Sequence, residues 1–164
     1  MDKETENTLQ TPPATANAQR LTLRKGEKLR HKALIDTLFS EGKTLYSYPL
    51  RVTWRTLSPE RLSGSFRAKI PNAIGSLQMM ITVPKKRRRH AVDRVLMRRR
   101  IREAYRLNRL PLKHLVEDNH EIRTLSLIFI YIGDKNEDSQ LVNKKMRKLL
   151  DKIAETVRYS SSLK

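Results

Sequence analysis

The chain has no cysteine, one tryptophan and five glycines in 164 residues, and aromatics make up only 5% of it. Without cysteine there is no disulfide scaffold, no thiolate zinc site and no thiol nucleophile. That composition suits a reducing setting such as the cytoplasm. No apolar run approaches the roughly 18–20 residues of a membrane span, so no membrane partner is expected. Acidic residues are also scarce: 17 Asp and Glu stand against 35 Lys and Arg, for a formal net charge of +18. The 38% of hydrophobic residues suffices for a core. The charge therefore belongs to a folded surface and points to a polyanion, with nucleic acid the leading partner.

Catalytic sets are missing too. The carboxylates Asp36, Glu41, Glu60, Asp93 and Glu103 are scattered, and no His acid–base pair, Gly-rich phosphate loop or Ser elbow is present. His114 and His120 flank Glu117-Asp118 in what reads as a loop, where plain surface histidines are the rule and metal ligands the exception. No catalytic residue, metal site or protein-held cofactor is expected.

What is present is concentrated. Residues 85–109 carry +10 of the +18. A general solubility surplus would be spread out, whereas this one is local.

Residues 1–19 contain almost no large apolar side chain and read as a disordered tail. Residues 20–159 read as one RNA-binding α/β domain, with a disordered end at 160–164. A first helix is predicted over 27–40 from Leu34, Ile35, Leu38 and Phe39, with Gly42 as its stop. Residues 48–56 alternate, Leu50, Val52 and Trp54 on one face and Arg51, Thr53 and Arg55 on the other, as in a half-buried strand. Trp54 is expected in the core. Residues 58–76 carry Pro59, Gly64, Pro71 and Gly75 and read as a loop around a weak strand at 65–70. A strand over 77–83, a helix over 91–110 ending before Pro111, a central strand over 124–132 and a helix over 139–158 follow. The order predicts an α+β sandwich of one mostly antiparallel sheet with about three helices.

On the helix over 91–110, Arg94, Arg98, Arg102, Arg106 and Arg109 fall on one face with Arg99 at its edge. Leu96, Met97, Ile101, Ala104 and Leu107 lie largely opposite, and Arg100 must snorkel from the apolar flank. Upstream, Lys85, Lys86, Arg87, Arg88 and Arg89 link a strand end to a helix N-terminus, a place that favours phosphate. Asp93 and Glu103 alone offer internal charge pairing in the stretch, so like charges are crowded at a cost in helix stability. That crowding favours phosphate binding over a merely solvated face.

These residues resemble the bacterial ribonuclease P protein component. The match is carried by Val83-Pro84-Lys85-Lys86, by Ala91-Val92-Asp93-Arg94 and by Arg98-Arg99-Arg100-Ile101-Arg102-Glu103-Ala104-Tyr105, with Leu23-Arg24-Lys25 and Leu38-Phe39-Ser40-Glu41-Gly42 upstream. The resemblance implies an α–β sandwich like ribosomal protein S5 domain 2, with a left-handed βαβ crossover. It implies a subunit that binds a catalytic RNA and the 5′ leader of precursor tRNA, while the RNA, with Mg²⁺, cuts the phosphodiester. No obligate protein partner is implied. By position, Lys85, Lys86, Arg94, Arg98, Arg99 and Arg102 match the family's basic sites. Arg87, Arg88, Arg89 and Arg106 extend that RNA-facing set. Phe39 matches an aromatic of the leader cleft, Ile35 stands where a second aromatic is common, and Thr53 and Arg55 are expected to line the cleft. Two departures stand out. Val95-Leu96 replaces an Asn-Arg pair, and Arg89-His90 replaces a Gly-Asn pair in a linker one residue longer.

Rival readings are a ribosomal or RNA-assembly protein with no role in cleavage, and a DNA-binding regulator. The second would want a helix-turn-helix pair or a dimer seam, and the basic helix follows a strand without heptads.

Overall fold

The computed structural model describes residues 21–67 and 69–163; the tail expected at 1–19 lies outside them. The described residues form one four-stranded sheet with helices on both faces. The sheet consists of β1 (Lys43–Ser47), β2 (Leu50–Leu57), β3 (Leu77–Thr82) and β4 (Thr124–Tyr131). Its spatial order is β1-β2-β4-β3, with two antiparallel pairings and one parallel pairing, β3 to β4. The α+β class and the mostly antiparallel sheet are as the sequence suggests. β4 is central, and all eight of its residues are buried, which is why TLSLIFIY reads as a continuous apolar run.

The helices are α1 (Lys32–Glu41), α2 (Pro59–Gly64), α3 (Ala91–Asn108), α4 (Leu110–Asp118) and α5 (Ser139–Ser162). One sheet face presents Leu50, Val52, Trp54, Leu77, Leu127 and Phe129 to Met97, Ile101 and Tyr105 of α3 and to Met146, Leu149 and Ile153 of α5. Trp54 is in this core. The other face presents Leu57, Ile128 and Ile130 to Leu34 and Leu38 of α1 and Leu62 of α2. None of the described helices is long and apolar enough to cross a membrane.

Several local expectations are corrected. The first helix begins at Lys32, not near Glu27. Lys25–Glu27 is a 3-10 turn, and the Leu29 amide instead donates to the Met79 carbonyl at 2.9 Å, beside the edge of β3. β1 was not anticipated, because only Ser47 of its five residues is fully buried. Among the described residues of 65–70 no strand forms where one is predicted, and α2 precedes them. Ser58 caps α2 by accepting from the Arg61 amide at 3.3 Å, and Pro59 supplies the first turn, where its missing N–H costs nothing. By the same logic Pro111 sits in the first turn of α4, so His114 and Glu117-Asp118 are helical rather than in a loop. α5, capped by Asp138 through the Leu141 amide at 2.7 Å, continues to Ser162. The end expected to be irregular from residue 160 is thus helical to Ser162.

Gly42 joins α1 to β1 at a close approach. A Cβ there would collide with the Leu38 carbonyl and lie 2.6 Å from Thr53 Cγ2. The glycine therefore fixes how tightly α1 sits on the sheet.

Candidate nucleic-acid interface

α3 is held by Met97, Ile101, Ala104 and Tyr105, all buried, so its remaining faces look outward. Arg99 and Arg102 are exposed and Arg98 is half-buried. None of the three has an ion-pair or hydrogen-bond partner among the described residues. Arg98 and Arg102 line a hollow with Met79, Met80 and Ile81 of β3.

The linker between β3 and α3 divides into braces and free cations. The Pro84 carbonyl accepts from the Arg87 and Arg88 amides, both at 3.0 Å, which closes a turn. Arg88 spans the turn, donating to Asp93 at 3.1 Å and to the Asp134 carbonyl at 2.7 Å, while Arg87 pairs with Asp134 at 3.0 Å. Arg94 donates to the Arg88 and Arg89 carbonyls at 3.0 and 2.6 Å. Asp93 is held below the usual carboxylate range chiefly by a hydrogen bond from Asn136, with the Arg88 charge adding to it. Lys85, Lys86 and Arg89 are left exposed and without an acidic partner among the described residues. Arg88 and Arg94 thus shape the loop that displays them.

The single face of five arginines expected on α3 is not what forms. Arg106 is tied to Glu103 at 2.5 Å, and its guanidinium is correspondingly harder to deprotonate. Arg109 is 1% exposed, pairs with Glu27 at 2.9 Å, and donates to the carbonyls of Leu21, Thr22 and Arg106. Burial alone would raise the Glu27 pKa. Hydrogen bonds from Arg109 and the Arg24 amide, with the charges of Arg109 and Lys113, hold it below its ordinary value. Arg100, as its position required, reaches off the apolar flank to the Glu137 carbonyl.

A second region lies on the α1 face of the sheet. Phe39 is 56% exposed on α1, and Ile35 is half-buried against the core beneath. Thr53 is buried and shares a hydrogen bond with Thr44 at 3.3 Å, while Arg55 is paired with Glu41 at 2.5 Å. Thr53 and Arg55 are therefore committed groups at the floor and end of the cleft rather than open donors. Sequence reasoning missed Tyr46, 63% exposed on β1. It stands opposite Arg51, whose row continues through Ile130 to Thr82. Arg51 Nε is buried without a hydrogen-bond partner among the described residues. Lys85 follows Thr82 by three residues, so Tyr46 and the exposed lysines lie toward the same end of the sheet, on its two opposite edges. The signal for Tyr46 was the Thr44/Tyr46 alternation just after Gly42.

Among the described residues no group of three His, Asp or Glu side chains is placed to hold a metal ion. The arrangement offers exposed cations on α3 and its linker and exposed aromatic rings on α1 and β1, which suits phosphates and unstacked bases.

Comparison with known proteins gives a consistent picture. A family model described as Ribonuclease P matches residues 23–154. The ribonuclease P protein component of Porphyromonas gingivalis is 38% identical over 156 residues, covering 94% of this chain and 98% of that protein. Among solved structures, the RNase P protein of Thermotoga maritima superposes with a TM-score of 0.52 at 21% identity, covering 77% of this chain and 96% of that one. That of Staphylococcus aureus gives 0.51 at 18%, covering 79% and 96%.

Proposed function

This chain belongs to the ribonuclease P protein family, and from that premise we propose a division of labour between its two outward regions. As a family member it is the protein subunit of a ribonucleoprotein endoribonuclease that matures the 5′ end of tRNA, and it partners with the ribonuclease P RNA. In the proposed division, Arg98, Arg99 and Arg102, with Lys85, Lys86 and Arg89, hold RNA phosphates. Phe39 and Tyr46 stack bases of the single-stranded 5′ leader of precursor tRNA. Arg88 and Arg94 position the linker, and Arg106 contributes less because Glu103 neutralises it. Cleavage, with Mg²⁺, is the work of the RNA. A left-handed β3–α3–α4–β4 crossover and a cytoplasmic setting belong to the same reading.

The observation that carries this reading is the unpaired state of Arg98, Arg99 and Arg102 on a helix whose inner face is locked into the sheet. Such charges crowd one another unless a polyanion answers them. The test is reconstitution with the cognate RNA at low Mg²⁺. Wild-type protein stimulates precursor cleavage. Phe39→Ala and Tyr46→Ala each weaken leader-bearing precursor by about 1–3 kcal/mol, the value of one stacked base, and leave mature tRNA unaffected. Equal losses on both RNAs would reduce the cleft to general RNA affinity.

A further inference from the structure

A cavity of about 410 Å³ opens at the end of the sheet opposite the basic linker, where Trp54 and Thr56 of β2, Arg61 of α2 and Ser160 and Ser161 of α5 converge. It exists because β1 is short. Lys43, the first residue of β1, pairs with Trp54, so Arg55, Thr56 and Leu57 have no strand beside them on that edge. The last turn of α5 supplies the two serines.

Three features mark it as a binding site. Trp54 is 4% exposed and its indole Nε1 is buried without a hydrogen-bond partner among the described residues; a buried donor is normally satisfied. Three cations, Lys43, Arg55 and Arg61, outnumber the two carboxylates, Glu41 and Glu121, that line the cavity. Lys43 Nζ lies 5.4 Å from the centroid of the Trp54 ring, and the exposed Arg61 has no acidic partner among the described residues. Arg55, finally, points from the cleft face and also lines the cavity, paired with Glu41 only two residues beyond Phe39. Arg55 thus joins the cleft face of the sheet to the cavity at the edge of β2.

We propose that this cavity takes one nucleoside phosphate. Lys43 swings off the indole to meet the phosphate together with Arg61, the bared Nε1 donates to an oxygen of the nucleotide, and Ile122 and Val157 receive the base. The nucleotide belongs to the far part of a single strand already held in the cleft, so the strand source rests on the leader reading above. A free mononucleotide has the same chemistry and is the alternative source.

Trp54 is the sole tryptophan, so its emission reports on the cavity directly. The full chain is titrated with a long single-stranded RNA, a short one, a nucleoside monophosphate and inorganic phosphate. The long RNA is expected to change Trp54 emission, and Arg61→Ala to weaken that response about tenfold, the worth of one charge-assisted hydrogen bond. In the reconstituted enzyme, Trp54→Phe, which keeps a ring and deletes the donor, costs about tenfold more affinity on a long-leader precursor than on a short-leader one. Unchanged emission with every probe, or an equal response in Arg61→Ala, overturns the site. A response to the monophosphate without leader-length dependence overturns the strand source and keeps the nucleotide site. Should Phe39→Ala also leave leader preference intact, it is the cleft reading that fails, and the emission arm still decides the cavity on its own.

Discussion

The middle and the C-terminal end of α3 carry the same residue type in opposite roles. Near its middle, Arg98 and Arg102 face outward with no partner among the described residues. One and two turns further on, Arg106 is half-neutralised by Glu103, and Arg109 is sealed beneath the 21–27 segment against Glu27. The helix and its spacing are common to both; what differs is whether another piece of chain crosses it. A free guanidinium on a rigid helix is a tool for phosphate, whereas a buried, ion-paired one is a fastening. Counting arginines on a helical face overstates the binding surface by the number that fasten.

The contrast breaks most severely if the fastening loses its anion. Glu27→Ala leaves Arg109 buried and unpaired, and should cost about 3–5 kcal/mol of stability, seen as a lowered urea midpoint, while the salt slope of RNA binding by the folded fraction is unchanged. In the middle of α3, the double change Arg98→Ala and Arg102→Ala should leave stability within about 0.5 kcal/mol. The slope of log K against log salt should instead flatten by about 0.7–0.9 for each phosphate no longer neutralised, measured by filter binding across a salt series. Acid offers a gentler probe. Glu27 and Asp93 both titrate below their ordinary values in the folded chain. Their stabilisation is therefore present above the unfolded carboxylate pKa and drains away as pH falls through the folded values. For the buried Glu27 the change in stability is at most about 1.4 kcal/mol per pH unit, and Glu27→Gln should flatten thermal stability against pH in that acid window. The smallest effect belongs to Arg106→Ala, which breaks a solvent-screened surface pair and should shift melting and RNA affinity only slightly.

Elements whose burial repeats along the chain were legible. The eight buried positions of β4, the stripe of α5 and the alternation that puts Trp54 inward all come from local pattern. β1 was not, since its exposed Lys43, Thr44 and Tyr46 leave little apolar contrast, and Tyr46 was missed with it. α2 and α4 were hidden because Pro59 and Pro111 read as breakers although a first-turn proline starts a helix. The basic linker was legible as charge, but not the split between Lys85, Lys86 and Arg89, which face out, and Arg88 and Arg94, which brace. That split depends on Asp134 and on linker carbonyls that no spacing announces. The fate of Arg109 was the least legible, for its partner lies 82 positions away.

The outer edge of β3 has one consequence beyond recognition. An uncovered strand edge is a template on which a second chain can add its own strand and start an aggregate. Here, among the described residues, the edge is bridged only at Met79, by Lys28 and the Leu29 amide, and Arg98 and Arg102 stand alongside the rest. The charges proposed to hold RNA therefore also keep copies of the protein apart by mutual repulsion. Neutralising them ties the colloidal behaviour of the chain to RNA stoichiometry: turbidity should appear near charge balance and clear when either component is in excess.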